Sequence, residues 1–295
     1  VLEGHALGQR SPAAVARDVL DLTKPGISTF VVFSAAMGLW LAPAGIGTAR
    51  SLIFLLATGM LVSAANIFNC FLEQEIDARM RRTRNRPLPA GRLDPWAALA
   101  LGIWLAAFAL PMLAIFASKL TALLGLGALT TYALVYTPLK RVTPRALEIG
   151  TIPGALPTLM GWSAATGELA PPAWALFGIL VFWQLPHFLG IAIHAKDDYA
   201  RGGIRVLPLV RGEAVARVWL FVYTVGLVAV SLTPVLLGVA GRIYLATALI
   251  AGAGFVYYAS KGLRPDAGPG TARKAFLYSL IYLPVVLAAL VMNAV

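Results

Sequence analysis

Charge is scarce in this chain and cysteine almost absent. Only 13% of its 295 residues are Asp, Glu, Lys or Arg, against 59% hydrophobic, too few to solvate the surface of a water-soluble domain, so the composition belongs to the membrane class. The one cysteine, Cys70, excludes an internal disulfide and argues against a cysteine-based metal site; it reads as a small packing residue. Strand-like alternation of apolar and polar residues is missing, which excludes a closed barrel and leaves helices as the only way to satisfy backbone groups in lipid. A cleavable signal peptide is not expected either, because residues 1 to 24 are mixed in character and the first apolar run is long enough to span. Val1 stands where an initiator methionine is expected, so the start reads as trimmed or as part of a longer chain.

The uncharged runs are long. They cover residues 25–49, 51–72, 95–118, 120–139, 149–167, 169–195, 218–241, 243–260 and 275–295, each near the length that crosses roughly 30 Å of hydrocarbon as a helix. The expectation is an all-α integral membrane protein, a single domain over 1–295 with nine transmembrane helices around a central cavity. Every Lys and Arg except Arg50, Lys119 and Arg242 falls on one side of this arrangement, which makes that side and the N-terminus cytoplasmic, at the inner (plasma) membrane. Residues 1–24 form a surface segment, in which Val15, Val19 and Leu22 lie opposite Arg17 and Asp21 as on a short helix lying on the membrane. Loops 73–94 and 196–217 cover one mouth. The net charge of +11 does not imply nucleic acid, because the positives are confined to membrane-flanking loops, where lipid headgroups and diphosphates are the fitting partners.

One stretch concentrates chemistry. Asn66, Asn69, Glu73 and Asp77 fall within one helical arc of about 80°, with Glu75 opposite, and are followed by Arg79, Arg81, Arg82, Arg84, Arg86 and Arg92. Carboxylate and amide oxygens on one wall suit a hard cation such as Mg2+, completed by substrate phosphates, and arginine supplies forked phosphate donors. Four spans later a second polar cluster, Trp183, His187, His194 and Asp198, shares an arc of about 60° provided Pro186 does not reset the helical phase. An even number of crossings puts both clusters on one side of the bilayer. Together they suit a water-poor site for an isoprenyl diphosphate. Asn69, Glu73, Asp77 and Asp198 are the expected metal and catalytic set, with Arg82, Arg86, Lys140, Lys196 and Arg205 as clamps on the departing diphosphate. Tyr132, Tyr136 and Trp183 offer aromatic faces to an allylic cation. Blander roles compete: solvated helix caps for the arginines, a neighbouring hydrogen bond for His187 and His194, interfacial packing for the aromatics, and a tail position for His5.

At these motifs the chain resembles the UbiA superfamily of intramembrane prenyltransferases, and within it the haem O-forming branch. The residues that carry this are Leu22-Thr23-Lys24-Pro25; Asn69, Glu73, Asp77, Met80, Arg82-Thr83, Asn85-Arg86-Pro87-Leu88 and Gly91; Tyr136-Thr137-Pro138-Leu139-Lys140-Arg141; Gly154-Ala155, Pro157 and Gly161-Trp162; Trp183-Gln184-Leu185-Pro186-His187-Phe188; and Asp198-Tyr199 running into Gly202-Gly203-Ile204 and Leu207-Pro208. The match covers about residues 20 to 210. It departs from the commonest pattern in having Glu73 in the first acidic motif and His194 at the head of the second. The resemblance implies Mg2+-dependent transfer of a farnesyl group from farnesyl diphosphate to a vinyl group of haem B, with Lys24, Asn66, Tyr199, His187 and His194 joining the substrate-binding set and haem A synthase as a possible associate. Of the two histidines, His187 is expected to matter more. The alternatives are a polyprenyltransferase acting on 4-hydroxybenzoate or a chlorin, a transporter with broken helices, and a non-catalytic haem-handling protein. The transporter reading lacks an inverted repeat at mid-membrane, and the haem-handling reading leaves the diphosphate-type cluster unexplained.

Overall fold

All nine apolar runs become largely helical in the computed structural model, which describes residues 11–264, 266–268 and 270–294. Residues 1–10, including His5 and the start of the expected surface segment, lie outside the described residues. In chain order the helices are α1 (Pro12–Leu22), α2 (Pro25–Trp40), α3 (Thr48–Arg79), α4 (Pro95–Phe116), α5 (Lys119–Thr130), a π-helical segment (Thr131–Tyr136), α6 (Thr137–Leu139), α7 (Ala146–Thr166), α8 (Pro171–His194), α9 (Lys196–Gly202), α10 (Leu207–Val210), α11 (Glu213–Ser231), α12 (Thr233–Leu236), α13 (Arg242–Lys261) and α14 (Gly270–Met292). Among the described residues no strand forms; the only bridge is an isolated pairing of Ala240 with Ala294.

Seven of these segments are long and apolar enough to cross a membrane, and the pair α1 and α2, bent by 51° at their junction, raises the number to eight. This is a multi-pass membrane protein. Helix α7 is not among the seven, and its sequence explains why. It carries Glu148, three threonines and the internal prolines Pro153 and Pro157, and it is buried along most of its length. A helix surrounded by protein does not need the uniform apolarity that lipid demands.

Helices α2 and α7 form the seam between two packed groups. On one side α3, α4 and α5 close around Phe54, Leu61 and Leu113; on the other α8, α11, α13 and α14 close around Ile179, Tyr244, Phe255 and Tyr282. The seam is tight because two glycines face backbone across it. A Cβ on Gly38 would lie 2.0 Å from the Thr158 carbonyl oxygen, and one on Gly161 would lie 1.9 Å from that of Ala35. Small residues that admit backbone-to-backbone approach are how helices gain packing energy in lipid, where no hydrophobic drive pushes them together.

Two details position the site. Helix α3 runs 32 residues, about 48 Å at 1.5 Å per residue, so it overshoots the hydrocarbon and carries Glu73 and Asp77 to the mouth. Residues 73–79 are therefore helical, and the covering loop begins only at Met80. Helix α1 docks on the protein through Leu22, buried against Ile67, Cys70, Leu88 and Ala98, and through a 3.0 Å pair between Asp18 and Arg92.

Gly161→Ala is expected to destabilise the protein by at least about 1–3 kcal/mol, because the obstructing atom is backbone and cannot swing away. Gly127→Ala, with nothing within 4 Å of the new Cβ, is the control. Thermal unfolding in detergent should separate the two, and equal midpoints would contradict the close crossing.

Candidate active site

A cavity of about 680 Å³ opens where α2, α3, the π-helical segment, α7, α8 and α14 converge. Its outer end is polar and its depth apolar. Five cations line it, Lys24, Arg82, Arg86, Lys140 and Arg205, against two carboxylates, Glu73 and Asp77, an excess of three positive charges. That balance suits a diphosphate ester.

The α3 stripe is built by ion pairs. Glu73 and Asp77 are nearly enclosed, and an unpaired buried carboxylate costs several kcal/mol. The fold supplies a cation to each. Lys140 Nζ straddles the Glu73 carboxylate at 2.6 and 2.8 Å, and Arg86 Nη1 meets Asp77 at 2.7 Å. Asn69 completes the row: its Oδ1 accepts from Lys24 Nζ, while its Nδ2 donates to Glu73 and to Thr137 Oγ1. Asn66 turns away to donate to the Thr23 carbonyl and to Ser28 Oγ, and so holds the α1–α2 bend rather than extending the row. Burial works against the Lys140 ammonium, but the Tyr136 and Glu73 oxygens outweigh it and hold its pKa above the ordinary lysine value.

Backbone strain brings Lys24 here. It is the only described non-glycine residue at positive φ, 50°, a conformation that persists only where surroundings impose it. Pro25 opens α2 directly after it. The π-helical segment re-aims the opposite wall. Its wider turn sets Thr137 Oγ1 on the Tyr132 carbonyl at 2.9 Å and puts the Tyr132 and Tyr136 rings 5.6 Å apart, with Lys140 Nζ 4.8 Å above Tyr136. Such segments occur often at functional sites. Deeper in, Trp183 tilts against Phe30 at 5.3 Å and stacks on His187 at 4.7 Å.

The second cluster does not assemble as its spacing suggests. Pro186 leaves α8 continuous, but the helix stops at His194, Ala195 departs from helical geometry, and α9 restarts at Lys196. The phase is lost at that break. His194 is exposed and does not line the cavity. Lys196 pairs with Glu213 at 2.9 Å, away from the site. Asp198 does not join Glu73 and Asp77: among the described residues no three His, Cys, Asp or Glu side chains gather as a metal group. The Asp198 carboxylate instead accepts the backbone amides of Arg81 and Arg82 at 2.9 and 3.2 Å and the Arg201 guanidinium at 2.6 Å. Burial pushes its pKa up, but these three donors prevail and hold it below the usual value.

Asp198 therefore latches the two covering segments together at the same mouth as Asp77. Ile204 packs on Ile76 and Met80 beside it, Arg82 lies 5.9 Å from the Tyr199 ring, and the Arg205 amide donates to the Lys140 carbonyl at 2.9 Å. Asn69, Glu73, Asp77, Lys24, Arg82, Arg86, Tyr132, Tyr136, Lys140, Trp183, His187, Tyr199, Arg205 and the edge of Asn66 share the cavity wall. Thr137, Gln184, Phe30 and Ser279 were not singled out in the sequence. Thr137 and Gln184 fall inside quoted motifs, which was the available signal; Phe30 and Ser279 had none.

With this geometry in hand, the sequence profile of the UbiA prenyltransferase family matches residues 31–281. The chain belongs to the UbiA prenyltransferase family. A protoheme IX farnesyltransferase of Anaeromyxobacter dehalogenans is 49% identical over 282 residues, covering 96% of this chain and 95% of the relative. Among solved structures, digeranylgeranylglyceryl phosphate synthase superposes with a TM-score of 0.80 at 19% identity over 94% of this chain and 98% of that one. A UbiA homologue from Archaeoglobus fulgidus bound to GPP and Mg2+ superposes with a TM-score of 0.65 at 16% identity over 92% and 99%. At these identities the structures establish the shared UbiA fold.

The Asp198 latch makes a prediction with a defined pH sign. Because its folded pKa lies below the ordinary 3.8, its contribution is full above that value and fades as pH falls through the lower, folded one. Asp198→Ala should make limited proteolysis of residues 196–206 severalfold faster at pH 7, with wild type unchanged between pH 5 and 8. Equal cleavage of the two proteins at neutral pH would contradict the latch.

Proposed function

We propose that this protein transfers the farnesyl group of farnesyl diphosphate to a vinyl group of haem B, giving haem O and diphosphate. The observation that carries this is the near-full-length identity to protoheme IX farnesyltransferases, joined to a cavity with a cationic mouth and an oily, aromatic depth. The farnesyl C1–oxygen bond breaks, a C–C bond forms to the vinyl terminus, and water adds at the neighbouring carbon with loss of a proton.

The donor set at the mouth fits Mg2+. Asn69, Glu73 and Asp77 offer hard oxygens on one cavity wall, and a cation there needs only a few protein ligands when phosphates complete it. Those three residues would hold the ion; when bound, Mg2+ neutralises charge that develops on the departing diphosphate. The rest falls to this chain's own groups. Arg82, Arg86 and Arg205 grip phosphate oxygens with forked donors, and Lys24 and Lys140 add point charges from the two flanks. Tyr132, Tyr136, Trp183 and Phe30 line the cavity, where their rings would shelter an allylic cation. The covering segments latched by Asp198 keep bulk water from that cation.

The same reading takes all nine helical rods as spans, with the N-terminus and the site on the cytoplasmic side of the inner (plasma) membrane. The clustering of Lys and Arg on that side supports it. Haem O carries a lipid tail that holds it in the bilayer, so hand-over to an associated haem A synthase belongs to the same proposal.

The test is purified protein in detergent with haem B, farnesyl diphosphate and Mg2+, followed by mass analysis of the porphyrin. A farnesylated, hydrated product is expected, and chelating Mg2+ should abolish it. Asp77→Asn should lower turnover by about a hundredfold or more while the nine-helix bundle still folds, as helical content by circular dichroism reports. No porphyrin product, or an active Asp77→Asn protein, would contradict the assignment.

A further inference from the structure

The last helix contributes a residue whose hydroxyl decides how His187 meets the cavity. Ser279 of α14 is fully buried and stands opposite α8. The Trp183 indole donates to the Ser279 carbonyl at 2.7 Å, and one helical turn on, His187 Nδ1 lies 2.8 Å from Ser279 Oγ. Two aromatic side chains of the Trp183–His187 string thus dock on a single residue.

The direction of the second bond follows from the serine's one proton. Ser279 Oγ also lies 2.5 Å from the Phe276 carbonyl. Two oxygens this close repel unless a hydrogen lies between them, and a carbonyl has none to give. The hydroxyl proton therefore points at Phe276, and Ser279 Oγ is left as an acceptor toward His187. His187 Nδ1 must then carry the hydrogen. In a neutral imidazole this leaves Nε2 with a free lone pair. His187 lines the cavity, and its Nε2 makes no hydrogen bond to the protein among the described residues. Its ring is clamped between Trp183 at 4.7 Å and Phe276 at 4.9 Å, so it cannot turn to offer the other nitrogen.

We propose that Ser279 is a positioning residue that fixes His187 as the Nδ1–H tautomer, so that Nε2 ligates the iron of the bound haem. This rests on the haem-farnesylating reading above and adds what that reading lacks, an anchor for the porphyrin. A nitrogen that bears no hydrogen cannot donate to a propionate; it binds an electron-poor centre, and the iron is the one a haem provides. A hydrogen-bond partner on the far nitrogen of a metal-binding histidine sets tautomer and ring orientation, and its loss typically weakens metal affinity by about 10–100-fold.

The experiment titrates ferric haem b, and separately iron-free protoporphyrin IX, into full-length protein in detergent, reading the Soret band and the electron paramagnetic resonance signal. Wild type should give a histidine-ligated iron spectrum that His187→Ala loses and added imidazole restores. Ser279→Ala should bind haem about tenfold or more weakly, with an altered spectrum, and Ser279→Thr, which keeps the hydroxyl, should recover it. Binding of protoporphyrin IX and of farnesyl diphosphate should be nearly the same in wild type and the two Ser279 variants, which also reports that they are folded. A His187→Ala spectrum equal to wild type, or a Ser279→Ala protein equal to wild type in affinity and spectrum, overturns the inference. So does equal weakening of haem and protoporphyrin binding, since the effect would then not pass through iron. Any of these three results, alongside a wild type that farnesylates haem, sinks the inference alone; a wild type that binds haem through His187 and leaves it unfarnesylated sinks the parent reading instead.

Discussion

Everything at the mouth of this protein depends on pairing two buried carboxylates. Glu73 and Asp77 are taken out of water by the helices around them, and neither charge is tolerable alone in that setting. Lys140 and Arg86 answer them directly, and Lys24 reaches the same row through Asn69. These cations come from three different parts of the chain: the α1–α2 bend, the loop after α3, and the end of α6. Neutralising one stripe of α3 therefore draws the whole entrance into register. Under the proposed function these pairs would be exchanged: the diphosphate would take the lysines and arginines, and the divalent cation the carboxylates and the Asn69 amide oxygen.

The rest of the fold serves that entrance. The glycine crossing of α2 and α7 fixes the seam on which Lys24 sits at one end, and the overlength of α3 brings its acids to the level where the loops can cover them. Gln184 ties α8 to α7 by donating to the Thr151 carbonyl, with Gly154 leaving room for it. The aromatic wall and the ion-paired mouth are thus held at a fixed separation. Such a cavity suits a long apolar diphosphate with its head at the cationic mouth and its tail in the apolar depth.

Much of this was legible in the sequence. Apolar run length is a one-dimensional property, and each of the nine runs became largely helical. The α3 stripe was legible because α3 has no break between Asn66 and Asp77, so helical phase carried through, although Asn66 turned out to serve the α1–α2 bend. Phase failed where the helix failed. Ala195 interrupts the chain between α8 and α9, and the expected grouping of Asp198 and His194 with the cavity went with it. Asp198 remained at the mouth, but as an acceptor for the Arg81 and Arg82 amides. Nor could spacing reveal the π-helical turn before Thr137 or the meeting of Ser279 with His187, 92 residues apart. Both arise from packing between helices, which local pattern does not encode. Helix α7 reads as a span from its uncharged run 149–167 alone; its threonines and prolines take it below the apolarity of the other spans, and its neighbours bury it along most of its length.

The most direct test of the exchange is calorimetric titration of inorganic diphosphate into the detergent-solubilised protein, with and without Mg2+. If the α3 acids and their cations part to receive the two ions together, diphosphate binds at least tenfold more tightly with Mg2+ present, and the gain disappears in Asp77→Asn. Diphosphate that binds as tightly in chelator as in Mg2+, in both proteins, would contradict the account.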